Sequence, residues 1–361
     1  MRIVVAMSGG VDSSVAALLL HRAGHEVIGV FMNNWEETGE DGSCNAERDW
    51  ADMRAVCDTI GIPYYAVNFA KEYRERVFAF FLSEYRAGRT PNPDVLCNRE
   101  IKFKEFFDFA LRLSAERVAT GHFSRIECTD GEYRLLRGAD PAKDQSYFLY
   151  MLGQRALRYA EFPVGNMTKA RVRALAQAAG LPTFAKRDST GVCFIGERDF
   201  RAFLHTYFPA QPGVTRDLRT GKAVGEHEGL MYYTLGQRRG LGIGGGGDGR
   251  RWFVVSKDLA ENQLWVAQGD DHPALYTTCA WVGELTWIAE RPPIVAGGAL
   301  RCVAKYRYRQ EDQRVTVRLD DGGLLVVADV PQRAVTPGQS LVLYRGDECL
   351  GGGVVERAWN A

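Results

Sequence analysis

The sequence predicts an α/β chain: a doubly wound parallel sheet, then a small β-rich domain, then a β-barrel. Three observations carry this prediction. Over residues 1–120 short apolar runs alternate with stretches of helical apolar spacing, the pattern of repeated β-α-β units with helices on both faces of a sheet. After Phe208 that pattern gives way to frequent Gly, Pro and Asp-Gly turns between short strands. The length, 361 residues, suits two or three domains. Boundaries are expected at 1–207, 208–272 and 273–361, the second at Asp270-Asp271-His272-Pro273.

Residues 3–6 read as a buried strand and 15–20 as the first turns of a helix. A second strand follows at 26–31, after the stop at Gly24. Residues 46–60 read as a helix with Trp50, Met53, Ala55, Val56 and Ile60 as its apolar stripe and Gly61 as its end. Next come a strand at 64–69, a Phe-rich helix at 71–86, a helix at 99–113 capped by Asn98, and a strand at 117–120. Ligands of such a sheet bind beyond the C-terminal strand ends. Asp130-Gly131 predicts a hairpin over 123–137. Thr168 and Gly180 bracket a further helix, and another spans 197–207. In the β-rich half, strands are expected at 251–255, 263–267, 299–306, 314–319, 323–328 and 340–344, with a mobile glycine-rich loop at 240–249.

Composition narrows the class. Apolar residues make up 46% and charged residues 25%, an ordinary globular balance. The 45 basic residues equal the 45 acidic ones, so binding of nucleic acid requires local basic patches. None of the eight cysteines, Cys44, Cys57, Cys97, Cys128, Cys193, Cys279, Cys302 and Cys349, forms a C-x-x-C pair, which removes the usual zinc and redox spacing. The chain opens on a strand, without a targeting segment or bilayer-length apolar run, so a cytoplasmic protein with reduced thiols and no membrane partner is expected.

Three stretches carry chemistry. The first, Ala6-Met7-Ser8-Gly9-Gly10-Val11-Asp12-Ser13-Ser14, joins a strand to a helix. A glycine pair there turns the backbone sharply and directs amides into one concavity at the positive helix end, a site for phosphate or pyrophosphate. Asp12 is placed to hold magnesium. The stretch has neither the P-loop ending nor the dinucleotide-binding glycine pattern. The second, Thr90-Pro91-Asn92-Pro93-Asp94-Val95-Leu96-Cys97-Asn98, reads as a stiff extended loop that leaves Cys97 just before a helix N-terminus. That position lowers a thiol pKa, and Asp94 stands nearby as an acid or base; a cysteine simply packed in a loop is the other reading. The third, Asp188-Ser189-Thr190-Gly191-Val192-Cys193-Phe194-Ile195-Gly196-Glu197-Arg198, sets Cys193 between glycines, as a hinge carrying a thiol or as a buried core residue. Lys305, Arg307 and Arg309, alternating with Tyr306 and Tyr308 on an expected strand, form either a solvated face or a phosphate-binding strip. Arg238, Arg239, Arg250 and Arg251 flank the glycine-rich loop.

Together these stretches resemble the bacterial-type tRNA-specific 2-thiouridylases, enzymes with an ATP-pyrophosphatase loop. The resemblance also takes in Thr120-Gly121-His122, Lys143-Asp144-Gln145-Ser146-Tyr147, residues 233–242 and Lys305-Tyr306-Arg307-Tyr308-Arg309, and so spans the chain. It implies an N-terminal fold of the adenine-nucleotide α-hydrolase type and ATP-dependent exchange of the C2 oxygen of the wobble uridine for sulfur. By the same resemblance, Ala6 to Ser14, Met32 and Gly121 would bind ATP, with magnesium and no tightly bound cofactor. Cys97 would be the nucleophile, Cys193 the persulfide carrier and Asp94 the proton carrier. Asn92, Pro93 and Asp94 would meet the target base, and His122, Lys143, Asp144, Gln145, Arg307, Tyr308 and Gln339 the tRNA. The implied partners are tRNAs of the Lys, Glu and Gln type and a sulfur donor, either a cysteine desulfurase or a relay protein. Two other classes compete: an ATP-pyrophosphatase adenylating a small substrate, which has no need of both cysteines, and a non-catalytic RNA-binding protein, in which both are dispensable.

Overall fold

In the computed structural model, which describes residues 1–35, 45–188, 200–244, 248–320 and 322–360, the N-terminal alternation becomes a five-stranded parallel sheet. Its strands are β1 (Arg2–Met7), β2 (Glu26–Asn33), β3 (Tyr64–Asn68), β4 (Arg117–Ala119) and, after the hairpin β5 (Ser124–Thr129) and β6 (Glu132–Arg137), β7 (Ala160–Glu161). The order β3-β2-β1-β4-β7 puts β1 at the centre. Side chains two apart on a strand share a face, and this assigns the layers. Val4, Ala6, Ile28 and Val30 pack with the helices over 70–86 and 93–112. Ile3, Val5, Met7, Val27 and Phe31 pack on the other face with α1 (Val11–Arg22), α2 (Asn45–Ile60) and the later helix Lys169–Ala178.

We name the helices over 70–86 and 93–112 α3 and α4, and Lys169–Ala178 α5. On α2 the buried residues are Met53, Val56 and Cys57, an i, i+3, i+4 set, whereas Ala55 is exposed and does not belong to the stripe expected of it. Helix α3 runs through a π-helical turn at Arg74–Phe78 without breaking. Helix α4 corrects a larger expectation: it starts at Pro93, six residues before the expected 99. Asn92 is extended and its Oδ1 accepts from the amide of Asp94 at 3.2 Å, with Pro93 as the first helical residue. Cys97 has helical angles (φ −58°, ψ −43°) and opens a π-helical stretch to Glu105. Asn98 therefore caps nothing; its Nδ2 donates to the Phe148 carbonyl at 3.2 Å.

Helix α5 starts and stops as expected. Thr168 Oγ1 accepts from the Arg171 amide at 3.3 Å, Asp140 Oδ2 accepts from the Lys169 amide at 2.9 Å, and Gly180 turns the chain at φ +66°. Thr168→Ala is expected to cost about 1 kcal/mol of stability, read as a lower urea midpoint with an unchanged m value.

Beyond α6 (Phe200–Tyr207), β8 (Gly213–Asp217), β9 (Ala223–His227), β10 (Trp252–Asp258) and β11 (Gln263–Gln268) form a sheet in the order β10-β11-β8-β9. Residues 197–199 of the expected helix and 245–247 of the expected glycine-rich loop lie outside the described residues. The remaining strands are β12 (Tyr276–Trp287), β13 (Ala299–Lys305), β14 (Gln313–Asp320), β15 (Gly323–Arg333), β16 (Ser340–Arg345) and β17 (Glu348–Trp359). Pairing of β12 with β17 closes these six into a barrel. β12 and β17, at 12 residues each, are the longest strands here and were not expected. β17 contains the run Gly351-Gly352-Gly353. The barrel needs it inside a strand, because a Cβ on Gly353 would come 2.8 Å from Val282 Cγ1 and one on Gly352 3.0 Å from Val342 Cα.

The Asp130-Gly131 turn is as expected, with φ +52° and +83° in succession. The hairpin it closes joins the barrel, not the parallel sheet: Leu135 and Leu136 of β6 pair with Cys349 and Glu348 of β17. Among the described residues, no helix is long and apolar enough to cross a membrane.

Candidate nucleotide and thiol site

The loop after β1 has the shape its sequence predicts. Gly9 lies at φ +69° and Gly10, extended at φ −97°, is the N-cap of α1 without any side-chain cap. Ser13 and Ser14 hydroxyls both donate to the Gly10 carbonyl, at 3.1 and 2.8 Å, and the Ser8 amide donates to Ser13 Oγ at 3.2 Å. The serines thus brace the loop from inside while the head of α1 keeps its positive end for an anion. Gly121, two residues past β4, lies against that head: a Cβ there would stand 2.5 Å from Ser13 N and 2.7 Å from Asp12 C. Met32 is half-buried near the end of β2. Loop, Met32 and Gly121 all lie at the C-terminal ends of parallel strands, the side where ligands of such sheets bind.

An ion network that sequence reading missed surrounds Asp12. Lys169 Nζ lies 2.7 and 2.8 Å from the two Asp12 oxygens and 2.7 Å from Asp188 Oδ1. Lys143 Nζ and Arg173 Nη2 also reach Asp188, at 2.6 and 2.9 Å. Burial would raise the Asp188 carboxyl, but hydrogen bonds from Lys143 and Lys169 hold it at about 2. For Asp12 burial wins over Lys169, and its carboxyl is pushed above the ordinary range. Lys186 donates to the Gly9 carbonyl at 3.0 Å and to Asp49 at 2.7 Å, tying the chain just before Asp188 to the loop and to α2. Asp12 and Lys169 are 157 positions apart, so no sequence window holds both; the available signal was a charged residue at each of two helix N-termini.

The second thiol stretch is built differently from its expectation. Because α4 starts at Pro93, Asp94 sits in the first turn and Cys97 one turn later, so the helix-dipole argument made for Cys97 passes to Asp94. Spacing of three and four residues puts Asp94, Cys97 and Asn98 on one helix face. Cys97 is buried, and Asp94 is half-buried, its carboxyl raised by burial against an opposing effect of Lys102. Cys193 lies outside the described residues.

What fixes this helix start is the barrel. The Thr90 amide donates to the Pro337 carbonyl at 2.9 Å, and Gln339 Nε2 donates to the Thr90 carbonyl at 2.7 Å. Gly338 lies between them at φ +90°, where a Cβ would approach the Thr90 amide nitrogen to 2.9 Å. Tyr147 and Val95 share a core with Val342 and Tyr344, and Tyr147 OH donates to the Ser340 carbonyl at 2.8 Å.

Comparison with known proteins decides the family. Residues 1–197 match the family model described as "tRNA methyl transferase HUP domain", 201–268 the "tRNA methyl transferase PRC-barrel domain", and 277–355 the "Aminomethyltransferase beta-barrel domain". The chain is 57% identical over 359 residues to tRNA-specific 2-thiouridylase MnmA 2 of Geobacillus kaustophilus (strain HTA426), covering 99% of this chain and 95% of the relative. It is 55% identical over 357 residues to tRNA-specific 2-thiouridylase MnmA of Alkaliphilus oremlandii (strain OhILAs), covering 99% and 97%. The chain belongs to the tRNA-specific 2-thiouridylase family.

In this 2-thiouridylase family member the other expected contact residues fall into two groups. Some are held inside the protein. Asp144 is buried, accepting from the Gly138 and Ser146 amides at 3.0 and 3.1 Å. His122 is buried between the Phe103 and Phe162 rings, 2.6 Å from Thr120 Oγ1, and burial holds its pKa well below the ordinary value. Gln145 Oε1 accepts from the Phe123 amide at 2.9 Å, and Gln339 belongs to the clamp on Thr90.

The other group is nearer the surface, and there the strand expected to carry it stops short. β13 ends at Lys305, because the Tyr306 amide turns to Gln310 Oε1 at 2.9 Å. Residues 306–309 make a turn in which Tyr306 is buried, Arg307 donates to the Ala334 carbonyl at 2.5 Å, and Tyr308 packs on Phe148 with ring centroids 4.4 Å apart. The arginine pairs also separate. Arg238 and Arg251 line a cleft of about 460 Å³ with Leu241, Ile243 and Trp252, whereas Arg250 is neutralised by Asp248 and Asp271 at 2.8 and 3.0 Å.

Gln339→Ala is expected to lower the thiolation kcat several-fold with ATP affinity unchanged, since it frees Thr90 but leaves the phosphate loop intact; single-turnover kinetics beside ATP titration checks this.

Proposed function

We propose that this chain replaces the C2 oxygen of the wobble uridine of tRNA by sulfur, using ATP and releasing AMP and pyrophosphate. The observation that carries this reading is the presence, in one chain, of a phosphate-cradling loop at the head of α1 and a helix start bearing Asp94 and Cys97 that the barrel clamps through Thr90. On this reading residues 1–207 carry the chemistry, and 208–272 and 273–361 bring the tRNA to it. The cleft lined by Arg238, Arg251 and Trp252 offers cations and a ring suited to RNA.

The chemistry follows from leaving groups. The uridine O2 attacks the α-phosphorus, pyrophosphate departs, and the amides at the head of α1 meet its developing charge. The outer sulfur of a Cys193 persulfide then attacks C2 and AMP leaves. Cys97 thiolate attacks the inner sulfur, which frees 2-thiouridine and closes a Cys97–Cys193 disulfide. In a second route Cys97 first cleaves the persulfide, and the hydrosulfide released attacks C2. Both routes end in the same disulfide, reset by two electrons from a thiol reductant in the cytoplasm. Asp94, its carboxyl raised by burial, is suited to carry the proton beside the base.

Asp12 fits magnesium as a single carboxylate at the loop, although both its oxygens engage Lys169; among the described residues no cluster of three metal-ligating side chains exists, so phosphate oxygens and water would complete the shell. Bound there, the ion supplies neutralising charge to the phosphates. The tRNAs are those of the Lys, Glu and Gln type, and the sulfur comes from a cysteine desulfurase or a relay protein.

Two of the matched models carry methyl-transfer names. Methyl transfer requires neither nucleotide cleavage nor paired cysteines, so one assay separates the readings. Protein, unmodified tRNA, ATP with magnesium and a persulfide donor are incubated, and nucleosides, AMP and pyrophosphate are quantified. Equal yields of 2-thiouridine, AMP and pyrophosphate are expected; absence of 2-thiouridine with a competent donor overturns the proposal.

A further inference from the structure

The network around Asp188 has a composition that a purely structural ion pair does not need. Three cations, Lys143, Lys169 and Arg173, converge on one carboxylate at 2.6 to 2.9 Å. Lys169 is itself buried, packs 5.7 Å over the Phe123 ring, and is shared with Asp12 of the phosphate loop. Its helix packs on α1, and beyond the end of α5 Thr183 Oγ1 donates to Ser14 Oγ at 3.0 Å. Three cations and the head of α1 therefore lie round Asp12 and Asp188, while Asp140 occupies the amide at the head of α5. Three cations within 2.9 Å of one carboxylate, beside a pyrophosphate loop, make a set that also suits the several oxygens of a diphosphate.

We propose that Lys143 and Lys169 form the outer half of the pyrophosphate site, and that Asp188 occupies it as an internal anion which the diphosphate of the nucleotide displaces. This rests on the reading of the loop as a pyrophosphate site. Asp188 is thereby a competitor of the phosphates. Closed by its own carboxylate, the site binds with an affinity reduced by the fraction of molecules in which it is open. Displacement frees Asp188 from Lys143, Lys169 and Arg173.

The test is calorimetric titration of the full chain with inorganic pyrophosphate, without tRNA or sulfur donor. Asp188→Asn is expected to bind pyrophosphate about tenfold tighter than the unaltered chain, and Lys169→Met at least about tenfold weaker. In the double variant the gain from Asp188→Asn disappears, because the lysine that the two anions share is gone. Asp188→Ala serves as a second removal of the charge, and melting temperatures report that each variant is folded. An unchanged or weaker affinity in a folded Asp188 variant overturns the proposal. In the unaltered chain, pyrophosphate is expected to speed trypsin cleavage at the Arg187–Asp188 bond several-fold; an unchanged or slower cut also overturns it. Neither readout depends on thiolation, so a chain that binds as expected but makes no 2-thiouridine counts against the proposed reaction and not against this site.

Discussion

Cys97→Ser is expected to lower 2-thiouridine formation by at least about 10³-fold while leaving ATP-dependent adenylation in place. Serine differs from cysteine by one atom, and at this buried position it perturbs packing little. The hydroxyl cannot attack a persulfide or close a disulfide, so sulfur stays on its carrier and turnover stops. The loop at α1 and its pyrophosphate chemistry involve other residues. The measurement is therefore paired: nucleoside analysis for 2-thiouridine, and tRNA-dependent exchange of labelled pyrophosphate into ATP. Loss of the first with retention of the second fits a nucleophile acting after adenylation. Full thiolation by the serine variant overturns the two-cysteine scheme, and loss of both activities points to Cys97 as a support for the base site instead.

The second large effect belongs to a residue without a side chain. Gly121→Ala puts a methyl group 2.5 Å from the Ser13 nitrogen and 2.7 Å from the Asp12 carbonyl carbon, both backbone atoms at the head of α1. Ordinary contact distances are about 3.5–4 Å, and a helix start cannot retreat as a flexible side chain can. A destabilisation of about 3 kcal/mol is expected, with at least a tenfold loss of ATP affinity because the loop amides are displaced. Gly153→Ala is the control: a Cβ there meets nothing within 4 Å, and an effect within about 0.5 kcal/mol is expected. Urea unfolding and ATP titration of the two variants check the pair, and equal behaviour would remove Gly121 from the site.

Much of the fold was legible because it is written in local pattern. The unbroken apolar run at 3–6 needs no partner to be recognised as a strand buried on both faces, and the structure sends Ile3, Val5 and Met7 to one layer and Val4 and Ala6 to the other. Thr168, Gly180 and Asp130-Gly131 act on their own neighbours and did in the structure what they promise in the sequence. Failures came where a distant segment overrides the local signal. β17, with its triple glycine, was not among the expected strands, yet it is a strand because two other strands press against it. The alternating cations after Lys305 read as a strand, yet Gln310 draws the Tyr306 amide away and a turn results.

The sequence by itself determined the phosphate loop and the two helix layers that flank its sheet, since each depends on residues within a turn or two of one another. Tertiary structure alone decided how these parts meet. It moved the start of α4 back to Pro93 and held the preceding Thr90 by both backbone groups between Pro337 and Gln339 of the barrel. It also brought Lys169 to Asp12 across 157 positions and set Asp188 among three cations. Such contacts join ends of the chain that share no periodicity, and they form only when packing of the hydrophobic layers has fixed where each helix begins.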